Sequence, residues 1–239
     1  MKKLLTSAVF AAFALPAVAS TVTVTGFSTS AYNSAVGSMS SAVVQDFETY
    51  GEGNIADGFT TNVGSFSSLG GTGSGGTVTG AGFNNDGSLL AIRDGNVFGR
   101  VSTTSALSGD AEDDMFLDSN DTHGIVWDVM LAGQRMFDRL VFTITDAAEF
   151  GNTLSITTEY GTTVVNSAGG SVKRLVEIDF GQQVSAASIT LGHFRGGNPL
   201  TNDGFSVDDI AVSEVPLPAS ALLLLGGLGG MAAMRRRKG

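Results

Sequence analysis

From residue 136 onward the chain repeats one pattern. Runs rich in Val, Ile, Thr and Phe alternate with turn residues at short, roughly regular intervals: 136–145, 152–159, 162–166, 173–180, 186–193 and 205–212. Such residues suit a pleated, half-buried surface. Alternation with a period of two sends successive side chains to opposite faces. The first run, MFDRLVFTIT, sets Phe137, Leu140, Phe142 and Ile144 as its apolar positions. Short strands at this spacing, without convincing helices between them, predict an all-β protein of packed sheets.

The first half carries the same signal more sparsely. Thr21-Val22-Thr23-Val24-Thr25 reads as a strand, as do residues 42–48 and 124–130. Trp127, the chain's one tryptophan, lies between Val126 and Val129 and is expected in the core. Asp94-Gly95-Asn96 reads as a hairpin turn joining 88–93 to 97–101. Residues 27–39 and 51–80 are dominated by small and polar residues and read as loops. Residues 31–44 have room for a turn or two of helix. Within the second loop GGTGSGG has no following Lys and no helical pattern, so it is not a phosphate loop. The expectation is a single antiparallel β-sandwich over residues 20–214, each sheet burying one alternating face.

Both ends of the chain read as addresses. Lys2 and Lys3, the apolar residues 4–15 and Ala17-Val18-Ala19 form the three parts of a secretory signal peptide over 1–19. Its cut is expected after Ala19, leaving Ser20 first. Residues 215–239 begin Val215-Pro216-Leu217-Pro218-Ala219, continue as an uncharged apolar run to Met234, and then give Arg235, Arg236, Arg237 and Lys238. A helix of about 17 residues spans about 25 Å, at the short end of what crosses a bilayer core. The basic block stays on the cytoplasmic side. This order of motif, apolar helix with glycines and basic block resembles the PEP-CTERM sorting tails of bacteria, in their VPLPA-CTERM variant. The resemblance implies export by the secretion machinery, a transient anchor in the inner membrane, and processing by an exosortase. It implies a final place at the cell surface or outside the cell, in a bacterium that exports polysaccharide.

Charge narrows the partners. The chain has 13 Lys+Arg and 23 Asp+Glu. Leaving out Lys2, Lys3 and the last four basic residues gives 13 − 6 = 7 against 23 for residues 20–214, a net of −16. Such a surface repels nucleic acid and anionic lipid. No cysteine is present, which removes thiol nucleophiles, thiolate zinc sites and disulfides. His123 and His193 are far apart and neither belongs to an HExxH pair. Ser206 in GFSVD comes nearest to a hydrolase elbow and fails at its last position. His193, Arg195 and Asn198 fall in HFRGGN and read as a surface loop. With no catalytic signature, the chain reads as non-enzymatic; the lesser alternative is a polysaccharide-active enzyme with a carboxylate pair, whose separation the fold would set. Six acids crowd into residues 110–121. They lack the glycine and glutamate of a calcium loop of the EF-hand kind and read as a solvated segment.

A second resemblance concerns the fold. The ending Asn202-Asp203-Gly204-Phe205-Ser206-Val207-Asp208-Asp209-Ile210-Ala211-Val212 is similar to the last strand of galactose-binding-like jelly-roll domains, in which an early Asp-Phe-Glu, here Asp46-Phe47-Glu48, also recurs. Residues 136–153 are similar to the middle of other sorting-tail proteins with such sandwiches. The resemblance implies a jelly roll and a structural calcium near Glu48 and Asp208 or Asp209, with Asp46 beside them. Alternation does not choose between the last two, because Val207 and Asp209 share one face while Asp208 and Ile210 share the other. The role implied is structural or adhesive in the extracellular matrix. The alternative is a carbohydrate-binding module for exopolysaccharide.

Overall fold

The computed structural model describes residues 20–70, 89–97, 99–120, 122–146, 152–158, 161–166, 173–195, 198–199 and 204–215, with the backbone alone for 152–158, 161–166, 193–195 and 198–199. The signal-peptide and sorting-tail motifs, apart from Ser20 and Val215, lie outside these residues. Among the described residues no helix is long and apolar enough to cross a membrane.

Among the described residues seventeen strands and two α-helices follow one another along the chain. They are β1 (Thr21–Gly26), α1 (Thr29–Gly37), β2 (Ala42–Gln45), β3 (Gly53–Ile55), β4 (Phe59–Thr61), β5 (Gly64–Ser68), β6 (Leu90–Arg93), β7 (Asn96–Val97) and β8 (Arg100–Val101). Then come α2 (Thr104–Ser108), β9 (Phe116–Asp118), β10 (Gly124–Val129), β11 (Phe137–Thr145), β12 (Asn152–Thr158), β13 (Gly161–Asn166), β14 (Arg174–Val184), β15 (Ala187–Arg195), β16 (Asn198–Pro199) and β17 (Ser206–Glu214). One sheet runs β1-β14-β11-β17-β9-β6-β3, with β2 also on β17. The other runs β13-β12-β15-β10-β5-β4, with β16 on β15. All the pairings are antiparallel.

The two sheets close on one apolar core, as the alternation requires. Leu140, Phe142 and Ile144 of β11, Val176, Ile178 and Phe180 of β14, and Val207, Ile210 and Val212 of β17 face Ile125, Trp127 and Val129 of β10 and Ile189 of β15. Trp127 is fully buried, as its neighbours in sequence predict. Its ring stacks on Phe66 and meets Phe142 edge-on, and its indole N–H donates to the Val63 carbonyl at 3.1 Å.

The first half departs from the sequence reading in three places. Residues 27–39 are not loop throughout: α1 fills most of them, started by the Ser28 hydroxyl, which accepts from Ala31 N at 3.2 Å. Its buried Tyr32 and Ala35 pack on Val141, Leu175 and Ala211, over the outer face of the larger sheet. Residues 51–70 hold β3, β4 and β5, pinned by the buried Val63 and Phe66. The hairpin expected around Asp94-Gly95-Asn96 does not form: β6 pairs with β3 and β9, while β7 and β8 make a ribbon of their own. His193 to Arg195 and Asn198 of HFRGGN are likewise strand, with Phe194 and Arg195 of β15 paired to Pro199 and Asn198 of β16.

Candidate functional site

Strand β17 lies in the middle of its sheet and carries the acid pair Asp208-Asp209. On its β11 side, Val141 pairs with Ala211 and Thr143 with Asp208, so Phe142 alone stands opposite Asp209 and Ile210. This is a β-bulge. Asp209 makes it by taking a left-handed conformation, φ 48°, which Asp tolerates better than most residues. The extra residue breaks the period of two. Val207 and Ile210 both enter the core, and the two residues between them both turn to the outer face. The structure thereby answers the question that alternation leaves open: Asp208 and Asp209 lie on one side.

The other edge of β17 is shared by two short strands running in the same direction. β2 pairs with Ile210 to Ser213, and β9 with Ser206 and Val207. Their junction falls beside the bulge. Phe47 turns the chain inward there with φ 63° and is fully buried. Glu48 bridges the junction by accepting from Met115 N at 3.0 Å, and Asp46 accepts from Glu48 N at 3.3 Å.

Residues 101–104 are laced over the acid pair. Asp208 Oδ2 accepts from the Ser102 hydroxyl at 2.6 Å and from Thr103 N at 2.9 Å. Asp209 accepts from the Thr103 hydroxyl and, at 2.9 Å, from the Thr104 hydroxyl. Thr103 also meets Thr143, whose hydroxyl donates to the Asp208 carbonyl at 3.0 Å. Lys173 Nζ donates to the Ser102 carbonyl at 3.1 Å. Asp208 Oδ1 is buried with no hydrogen-bond partner. A lone buried carboxylate oxygen of this kind is costly when charged, and protonation removes that charge.

The electrostatics agree with that geometry. Burial, and then the charge of Asp209, hold the Asp208 carboxyl well above the ordinary carboxylate range. Burial pushes Asp209 up to about 6, helped by Asp46 and opposed by the two threonine hydroxyls and Lys173. Glu48 is pushed up to about 7 by burial and by Asp113, Asp46 and Asp114, against the Met115 N–H. Asp114 is raised by its hydrogen bond with Asp94 and by burial. Tyr32 is raised by burial and by the acids beneath it.

The four residues expected around a calcium ion are therefore drawn toward one junction, though not onto one point. Among the described residues no three Asp, Glu or His groups come together so as to hold a metal ion. Asp208 and Asp209 face hydroxyl and N–H donors, and Glu48 faces a backbone N–H.

The acidic segment 110–121 is also more than a solvated loop. Asp118 is fully buried in β9, with Arg100 Nε at 3.3 Å and Arg93 Nε at 3.9 Å. Its other oxygen accepts from Asn120 N at 2.8 Å, and Arg93 donates to the Asn120 side chain at 3.0 Å. The signal that sequence reasoning misses is the pairing of one acid in this run with two distant arginines on strands.

Open clefts among the described residues include two near these elements. One, of about 420 Å³, is lined by Thr60, Asn62, Asp128, Met130 and Gln134. The other, of about 660 Å³, is lined by Asn96, Ser102, Ser105, Asp114 and Lys173 and flanks the covered acid pair.

No protein-family model matches the chain, and no curated protein matches it. Among solved structures it is similar to the M60 catalytic domain with the CBM51-1 and CBM51-2 domains from Clostridium perfringens ZmpB, at 14% identity and a TM-score of 0.28, over 52% of this chain and 14% of that one. A likeness this slight carries no argument about function.

Proposed function

We propose that this chain is an exported, non-enzymatic surface or matrix protein: a jelly-roll-like sandwich made between a signal peptide (1–19) and an exosortase-processed sorting tail (215–239), with a structural or adhesive role outside the cell. The observation that carries the proposal is the three-part tail itself, read together with where the sandwich stops. Strand β17 ends at Glu214, and Val215 N still donates to the Met136 carbonyl at 2.9 Å. The sorting motif Val215-Pro216-Leu217-Pro218-Ala219 thus starts at the residue next to the end of β17, and a cut within or after it leaves that strand whole. Before that cut, residues 219–234 would hold the chain in the inner membrane, with Arg235, Arg236, Arg237 and Lys238 on the cytoplasmic side.

The test is the intact mass and location of the protein in its own cells. The expected product lacks 1–19 and most of 215–239 and is found beyond the inner membrane. The double variant Pro216→Ala, Pro218→Ala should stay in the membrane unprocessed. A product of normal cells that keeps Lys238 in the inner membrane would refute the reading, as would normal processing of the variant.

A further inference from the structure

We propose that β1 is a self-pairing edge: two copies of this chain join antiparallel through their β1 strands, centred on Thr23. Among the described residues β1 pairs with β14 alone, so its other row of N–H and C=O groups faces outward. An open edge is a template for another strand, and proteins usually blunt it with charge, proline, a bulge or shortness. Strand β1 has none of these. It is six residues long, TVTVTG, with no charge.

The strand also reads the same in both directions from Thr21 to Thr25. In an antiparallel pair about Thr23, Thr meets Thr and Val meets Val. Val22 and Val24 pack toward the core while Thr21, Thr23 and Thr25 are exposed. A two-fold axis through Thr23, normal to the sheet, keeps each set on its own side. The valines then extend the core across the contact, and the threonines make cross-strand pairs.

Among the described residues the strands that end the two long sheet paths elsewhere do not match themselves. Strands β3 and β4 have three residues each. Strand β13, GTTVVN, set against itself about Thr163 or about Val164 puts Thr on Val in either case. Charge favours this edge as well. Residues 20–214 carry a net of −16, so most contacts between copies set acids against acids, and β1 is a neutral strip. One added strand is small beside the roughly 1,000 Å² of a stable interface, so the pairing is reversible and gains strength where many copies are held close together. The inference rests on the fold and not on the sorting tail, so its test is separate from the one above.

The chain has no cysteine, so a single introduced thiol reports only on a second copy. The full chain in mild detergent is compared as Thr21→Cys, Thr23→Cys and Thr25→Cys under gentle oxidation. Opposed residues in an antiparallel pair have Cα atoms about 4.5–5.5 Å apart, within disulfide reach. Thr23→Cys should form linked dimer several-fold more readily than either neighbour alone, and a mixture of Thr21→Cys with Thr25→Cys should also link more readily than either of them alone. Adding Thr21→Lys and Thr25→Lys to Thr23→Cys should remove the dimer while leaving the melting temperature in place. Equal yields at the three positions, a peak elsewhere, or a dimer that survives the lysines would overturn the proposal.

Discussion

The covered acid pair makes stability depend on pH in the direction opposite to most acidic proteins. In the unfolded chain Asp209 titrates near its ordinary 3.8, and in the fold near about 6. Between those values the folded state binds more protons than the unfolded state, so stability falls as pH rises. The contribution is fully present below about pH 4 and is lost as pH climbs through about 6. Asp209 is only 2% exposed, so solvent screens little of it. At about 1.4 kcal/mol per pH unit, the interval from 3.8 to about 6 is worth about 3 kcal/mol. Asp208 acts in the same direction. The assay is denaturant unfolding of the full chain at about pH 4 and about pH 7, beside Asp209→Asn, which cannot titrate. Asn keeps the size of the side chain, and the Thr103 and Thr104 hydroxyls can turn to suit it. Glu48 is present in both proteins and cancels. The unaltered chain should lose about 3 kcal/mol more over this interval than the variant. Equal losses would refute the reasoning, and so would a chain whose stability rises with pH more steeply than the variant's.

Two substitutions probe the rest of the frame. Asp118→Ala leaves the buried Arg93 and Arg100 guanidinium groups without their shared carboxylate, and unfolding should become easier by about 3–5 kcal/mol; a loss below about 1 kcal/mol would mean the pair behaves like a surface ion pair. Gly124 has φ +143°, and a Cβ there would meet the Leu191 carbonyl at 2.0 Å and Gly192 Cα at 2.7 Å, both backbone. Gly124→Ala should therefore cost at least about 1–3 kcal/mol and weaken the β10–β15 pairing, whereas Gly95→Ala, with its nearest neighbour at 3.8 Å, should cost less; equal melting temperatures for the two would contradict the geometry.

What is legible in the sequence follows from how each element is held. Strands β10, β11, β14, β15 and β17 lie inside their sheets and must bury alternate residues, so the spacing of Phe137, Leu140, Phe142 and Ile144 is enough to mark β11. Strands β3, β4 and β5 are short and lie at or next to a sheet edge, and their Gly, Ser and Thr residues gain order from Val63 and Phe66 rather than from their own pattern. Helix α1 buries only Tyr32 and Ala35, too few to show a period. Asp118 reads as one of six solvated acids because its partners, Arg93 and Arg100, come from other strands. Asp208 and Asp209 stand out in the sequence as a pair, but their common direction depends on one positive φ that composition cannot report.

That single residue also marks where the larger sheet changes partners. Strand β17 has nine residues, and β11 follows it in one piece along one edge, across the bulge. Along the other edge the chain supplies β2 and β9, four and three residues long, and breaks between them beside the bulge. A break leaves polar backbone that must be satisfied, and Glu48 meets part of that need by taking Met115 N. The acids at the junction thus answer to the demands of the sheet. Asp208 and Asp209 are 1% and 2% exposed beneath residues 101–104, out of reach of any polymer outside. Among the described residues the fold leaves open the clefts beside Asp128 and Lys173 and the neutral edge of β1, and it is at β1 that the sequence matches itself.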